Sequence, residues 1–302
     1  MSASGRPGDV QVAIFGAGRI GKIHAGNLAA QPGVRLKHVV DPDAGAAAAL
    51  AAKHGASVGT VEGVFADPSI RAVVIASSTD THAELIERAA GAKKAIFCEK
   101  PVDLSYDRAL RCARTVREAG VPCLIGFQRR YDPTFAAVRA RMDAGEIGDP
   151  EMRWILGDEA ESVYATGSCL TDPAVASVGD VDATAVTIRP KKGRLAQINT
   201  IRRAAYGYDQ RFEVIGAKGM LQAGNHRPTE VVASTAESVS ADKPEHFFLE
   251  RYRVAYALEM AHFLDAIAHG KPIRTTIEDG VKALELAEAA TISWREKRIV
   301  AL

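Results

Sequence analysis

The chain has 302 residues, 47% hydrophobic and 25% charged, with a formal net charge of +1. That length and make-up suit two folded domains. Its lysines and arginines are scattered and form no basic stripe of the kind nucleic-acid binding needs, so a small-molecule partner is expected, with no nucleic acid and no membrane. Cys98, Cys112, Cys123 and Cys169 form no Cys-x-x-Cys pair, which speaks against a zinc knuckle or a disulfide framework and for reduced thiols. No metal site is expected. Met1 to Asp9 are small and polar with one arginine, so they read as a flexible tail, neither signal peptide nor anchor, and a cytoplasmic location is expected.

Val10 to Phe15 is a short apolar run and predicts a strand, and Ile20 to Ala30 then has helical composition up to the stop at Pro32-Gly33. Between them stands Gly16-Ala17-Gly18-Arg19-Ile20-Gly21, a Gly-x-Gly-x-x-Gly pattern in the strand–turn–helix context that gives it meaning. The first glycine permits the tight turn, the second lets the backbone approach a pyrophosphate, and the third lets helix and strand pack closely. The helix start adds unpaired N–H groups and a positive dipole end, so Gly16, Gly18, Arg19, Ile20 and Gly21 are expected at a dinucleotide. A glycine turn with no ligand is the plain alternative.

Leu36 to Val40 predicts the second strand, and Asp41 follows it about twenty residues after the last glycine, where an acid can hydrogen-bond a ribose 2′-hydroxyl. That favours NAD over NADP, because a 2′-phosphate would meet the Asp41 charge and the following Pro42 and Asp43 offer no arginine. The alternation continues through the alanine-rich 44–52 stretch, Ala72 to Ala76, 81–90, Ala95 to Cys98, 105–119 and Leu124 to Gly126. Strands alternating with helices imply a Rossmann, doubly wound parallel sheet. Glu99-Lys100-Pro101 follows the fourth of these apolar strands directly. Ligands of open α/β sheets gather at the carboxyl ends of the strands, which makes Lys100 the first catalytic candidate.

One more helix, Phe135 to Ala144, precedes the turn-rich Gly148-Asp149-Pro150. Beyond it, Ser162 to Thr166, Ala185 to Ile188, Ala196 to Ile201 and Arg211 to Ile215 are short strands separated by turns, and helical patterns at 250–268 and 278–296 close the chain. The reading is therefore a cofactor-binding domain over 1–133 and an α+β domain over 134–302 with an open, mainly antiparallel sheet. The second would serve substrate binding and oligomerisation, since an uncovered sheet face suits a homodimer or homotetramer.

Glu99-Lys100-Pro101, Gly126-Phe127-Gln128-Arg129-Arg130-Tyr131-Asp132-Pro133, Gly145-Glu146-Ile147-Gly148-Asp149-Pro150, Tyr206-Gly207-Tyr208-Asp209 and Gly216-Ala217-Lys218-Gly219 give the chain a family likeness. It resembles the glucose-fructose oxidoreductase, inositol dehydrogenase and rhizopine-catabolism (Gfo/Idh/MocA) family of NAD(P)-dependent sugar and polyol dehydrogenases. The Tyr206 to Asp209 motif and His246 to Tyr252 are most similar to the inositol 2-dehydrogenases. The resemblance implies oxidation of a secondary alcohol of a polyol or sugar to a ketone, with Lys100 as the catalytic lysine that holds the hydroxyl. It places Arg129 and Tyr208 on the substrate, and Ser77, Ser78, Thr79, His82, Glu99 and Lys100 beside the cofactor. From the residues alone, Arg129 reads equally well as a salt-bridge arginine, Tyr208 as a packed tyrosine and His82 as an exposed histidine.

One part of the family pattern is missing. Relatives carry Asp-x-x-x-His on a helix that ends Arg-Trp-Leu-Leu-Gly, whereas here Pro150 runs straight into Glu151-Met152-Arg153-Trp154-Ile155-Leu156-Gly157. By the resemblance roughly thirty residues are absent, about a strand, a loop and one or two helical turns. The absent histidine is the family's general base. Asp242 with His246 and Asp265 with His269 have the same spacing, but Pro244 interrupts the first and the second reads as a surface pair at a helix end. A second reading therefore stays open at this stage: an NAD-binding sensor or scaffold without the base. If the chain is continuous, the Cα atoms of Pro150 and Glu151 lie about 3.8 Å apart; a much larger separation is expected if residues are left out of the sequence.

Overall fold

The computed structural model describes residues 10–147 and 158–302. The join between Pro150 and Glu151 lies outside the described residues. The chain folds into two compact units, one made of the residues up to Tyr131 with Ala255–Leu284, the other of Asp132–Val254 with Glu285–Leu302.

In chain order the first unit holds β1 (Val10–Phe15), α1 (Arg19–Ala29), β2 (Val34–Val40), α2 (Ala44–Lys53), β3 (Ser57–Val58), α3 (Val61–Ala66), β4 (Ile70–Ile75), α4 (His82–Gly91), β5 (Ala95–Glu99), α5 (Tyr106–Ala119) and β6 (Cys123–Gly126). The strands form one sheet in the order β3-β2-β1-β4-β5-β6, with every pairing parallel. They read as near-continuous apolar runs because both faces are covered. Ile14, Val74, Phe97 and Leu124 pack on one side with Ala25, Leu28 and Leu50, and Val73, Ile96, Cys98 and Ile125 on the other with Ile86, Ala89 and Val116. Strand order reverses between β1 and β4, so the loops that leave their carboxyl ends diverge there and open a binding edge.

The second unit contains α6 (Pro133–Asp143), β7 (Ala160–Ser168), α7 (Pro173–Ser177), β8 (Ala183–Pro190), β9 (Ala196–Ile201), β10 (Phe212–Gly216), β11 (Gly219–Ala223), β12 (Val232–Ser234), β13 (Val239–Ala241) and α8 (Phe248–Arg251); after α9 (Arg253–His269) and the first turns of α10 (Ile277–Glu296), which belong to the first unit, the rest of α10 and β14 (Val300–Ala301) complete it. Its main sheet is antiparallel in the order β14-β7-β8-β9, while β10 with β11 and β12 with β13 form separate two-stranded ladders. Val163, Ile188 and Ala196 pair across the main sheet and pack on Ala289. Their neighbours Tyr164, Thr187 and Gln197 point the other way and are exposed. Phe212, Val214 and Leu221 of the β10–β11 ladder pack on Val138 and Met142 of α6.

The expected division after residue 133 needs correction: residues 255–284 return to the first unit. The reason is apolar packing. Met260, Phe263 and Leu264 of α9 join Phe97 in one core cluster, and Ile277 and Val281 of α10 join Cys98 in the other. The helix read over 250–268 also breaks into α8 and α9 at Tyr252. Among the described residues no helix is long and apolar enough to cross a membrane.

A buried ion pair fixes the start of the second unit. Arg251 donates to Asp132 Oδ2 at 2.6 Å and to Oδ1 at 3.3 Å, and each side chain is only 2% exposed. The same carboxylate caps α6, accepting from the Thr134 and Phe135 N–H groups at 3.1 and 3.2 Å. The Arg251 guanidinium also lies 4.7 Å from the Tyr252 ring centre.

Candidate active site

Residues at the carboxyl edge of the parallel sheet form the site within the first unit. Gly16 has φ +101°, and a Cβ there would stand 2.4 Å from the Ala76 carbonyl oxygen. A Cβ on Gly21 would stand 2.0 Å from the Gly16 carbonyl oxygen, so strand, turn and helix meet more closely than any side chain allows. Gly18 faces open space, is exposed, and heads α1 with neither a side-chain cap nor an acid in the first turn. The first-turn N–H groups are thus left for an external anion. A dinucleotide fits this cradle: tight turn, open backbone at Gly18, uncapped helix start beside Arg19 and Ile20. Asp41 stands at the end of β2, half-buried, its carboxylate turned toward the turn rather than away from it: Oδ2 accepts the Ala17 N–H at 2.6 Å.

Two further loops reach the same edge. After β4, Ser77 Oγ and Thr81 Oγ1 lie 2.6 Å apart and Thr81 Oγ1 donates to the Ser78 carbonyl at 2.8 Å, which shapes the turn that carries Thr79. His82 is 1% exposed, not the surface histidine of the plain reading. Its Nδ1 lies 2.7 Å from the Pro101 carbonyl oxygen and its Nε2 3.2 Å from that of Ser77. His82 therefore braces the loops after β4 and β5 together. Lys100, the first residue past β5, is exposed.

Glu99 is the last residue of β5. Its side chain is buried, and Oε1 lies 2.7 Å from Nε2 of fully buried His24 on α1. It thus ties α1 to the end of β5. A Cβ on Gly126 would stand 3.1 Å from the Glu99 carboxyl, so glycine on β6 makes its room. Glu259 of α9 is also fully buried. Burial first, and then the neighbouring Glu99 charge, push its carboxyl well above the usual carboxylate range. Sequence reasoning missed His24 and Glu259, yet both interrupt apolar helix stripes: Gly21, His24, Ala25, Leu28 and Tyr256, Glu259, Met260, Phe263. A charged type inside an i, i+3, i+4, i+7 stripe is the signal that could have found them.

Of the two adjacent arginines, Arg130 takes the structural role, with paired bonds to Asp279 at 2.9 and 2.8 Å, and Arg129 is exposed. Tyr208 belongs to the second unit, half-buried, with its N–H on the Glu245 carbonyl at 2.8 Å and its ring 5.9 Å from that of Tyr252. Beside it Asp209 accepts from Tyr206, from Arg211 at 2.8 Å and from Asn225 at 2.7 Å. These bonds, led by Arg211, hold its carboxyl down at about 2. Asp265 and His269 form an exposed pair at the end of α9, shared with Lys271, and Asp242 accepts from Thr229.

Comparison with known proteins gives this geometry a context. Residues 10–127 match the description "Oxidoreductase family, NAD-binding Rossmann fold" and residues 151–302 "Oxidoreductase family, C-terminal alpha/beta domain". The chain is 39% identical to inositol 2-dehydrogenase of Rhizobium meliloti (strain 1021) over 327 aligned positions, covering 97% of this chain and 99% of the relative. Roughly 34 of those positions have no residue from this 302-residue chain. It is 35% identical to scyllo-inositol 2-dehydrogenase (NAD(+)) of Bacillus subtilis (strain 168), over 95% of this chain and 94% of that one. The crystal structure of a myo-inositol dehydrogenase from Corynebacterium glutamicum superposes with a TM-score of 0.92 at 38% identity, covering 97% of this chain and 99% of the other.

Proposed function

Because the chain belongs to the Gfo/Idh/MocA oxidoreductase family, we propose that it is an NAD-dependent dehydrogenase that oxidises a secondary alcohol of a cyclic, inositol-like polyol to a ketone. The observation that carries this reading is the placement of Lys100: exposed, at the carboxyl end of β5, with only β4 between it and the glycine turn of β1. The names of the Rhizobium meliloti and Bacillus subtilis relatives, an inositol 2-dehydrogenase and a scyllo-inositol 2-dehydrogenase (NAD(+)), support the ring polyol and NAD.

When bound, NAD supplies the hydride acceptor. The glycine turn and the start of α1 hold its pyrophosphate, and Asp41 accepts from the ribose. Lys100 Nζ donates to the reacting hydroxyl oxygen and stabilises the negative charge that grows there as hydride departs and the O–H proton passes to water. Arg129 holds further hydroxyls, the resemblance gives Tyr208 of the second unit a substrate contact as well, and Ser77, Ser78 and Thr79 border the cofactor over the brace made by His82. The uncovered face of the main sheet, with Tyr164 and Ile201 among its exposed side chains, supports association into a homodimer or homotetramer. Four free thiols support a reducing, cytoplasmic setting.

Calorimetric titration tests the cofactor half of this reading. NAD should bind more tightly than NADP, since the Asp41 carboxylate meets any 2′-phosphate. Equal or reversed affinities would take Asp41 out of the ribose role, and no binding of either would return the glycines to a structural turn.

A further inference from the structure

We infer that Asp41 is also a positioning residue for the glycine turn, shaping the pyrophosphate cradle independently of the ribose. The inference rests on the NAD reading for its binding consequence and on geometry for the rest. Both Asp41 oxygens are engaged by backbone within the protein: Oδ2 accepts from Ala17 at 2.6 Å and Oδ1 from Asp43 at 2.8 Å. Ala17 is the residue between the first two glycines and is 1% exposed. Its N–H is therefore spent on Asp41 and is withdrawn from any phosphate, which leaves the anion to the N–H groups that follow on α1.

The neighbouring bonds show how the turn is held. Gly16 donates to the Val40 carbonyl and Ala76 to the Phe15 carbonyl, each at 2.8 Å, so β2 and β4 fix the turn from either side up to Gly16. The next link is the Asp41 side chain. Asp41 is itself held through the Asp43 N–H, and Asp43 caps α2 by accepting from Ala46 at 3.0 Å. A carboxylate oxygen carries two acceptor positions, so each can keep its backbone donor and still accept a ribose hydroxyl. One acid thus couples ribose recognition to the shape of the phosphate site. Exchanging it to change cofactor preference would weaken both dinucleotides.

The two roles separate with NAD whose adenosine ribose lacks the 2′-hydroxyl. If Asp41 serves the ribose 2′-hydroxyl alone, the wild-type protein and Asp41→Ala bind 2′-deoxy-NAD equally well. The latch predicts that Asp41→Ala binds it about tenfold more weakly, the scale of one hydrogen bond to a charged group, and that Asp41→Asn, which keeps an oxygen for the Ala17 N–H, recovers most of that loss. Hydrogen exchange at the Ala17 amide of the cofactor-free protein gives an independent reading: about tenfold faster in Asp41→Ala and near the wild-type rate in Asp41→Asn. Equal 2′-deoxy-NAD affinities with unchanged Ala17 exchange would overturn the latch. Failure of the wild-type protein to bind either dinucleotide would overturn the NAD reading alone, and Ala17 exchange would still decide the latch.

Discussion

Lys100→Ala should lower polyol turnover by about a hundredfold to a thousandfold, the range seen when one donor to a developing oxyanion is removed, while NAD affinity stays within a few-fold. An interaction made mainly in the transition state appears in kcat rather than in cofactor binding. The side chain is exposed at a strand end, so its removal should leave stability within about 0.5 kcal/mol. Steady-state kinetics beside calorimetry separates the possibilities. Parallel loss of turnover and NAD binding would make Lys100 a binding or structural residue.

Arg251→Met should destabilise the second unit by about 3–5 kcal/mol, because it leaves the Asp132 carboxylate buried without its partner. Asp132 is held by that guanidinium at 2.6 Å and itself caps α6. Urea unfolding followed by circular dichroism would show the shift. The double variant Asp132→Asn with Arg251→Met should recover part of the loss, since it buries no unpaired charge and the Asn oxygen still caps the helix. No recovery in the double variant would mean that packing of Arg251 on Tyr252, rather than charge pairing, dominates the effect.

Much of the first unit was legible because buried parallel strands are continuous apolar runs. Val10 to Phe15, read as a strand, is β1 residue for residue. Ser57–Val58 offered no such run: β3 is two exposed residues held only by pairing with His38 and Val39. Likewise β14, Val300–Ala301, exists through its partners Val163 and Ser162 far back in the chain. In the site, Gly16, Gly18, Gly21, Asp41 and Lys100 were legible because their spacing is local. The His24–Glu99 pair spans 75 positions, and nothing local says that Arg130 rather than Arg129 meets Asp279, 149 positions on. The return of α9 to the first unit was hidden for the same reason. Its apolar stripe shows that it must be buried, but not against which sheet.

By the family resemblance the Asp-x-x-x-His segment that would carry a general base is missing from this sequence, and removing such a base costs about 10²–10⁴-fold. The central claim therefore meets its most direct test in the rate of NADH formation by the full chain, at saturating NAD, with a panel of inositols and sugars. The account predicts slow, enzyme-dependent NADH formation with at least one inositol, lowered about a further hundredfold to thousandfold in Lys100→Ala. NAD binding without NADH formation from any member of the panel would contradict it and leave an NAD-binding protein that no longer oxidises polyols.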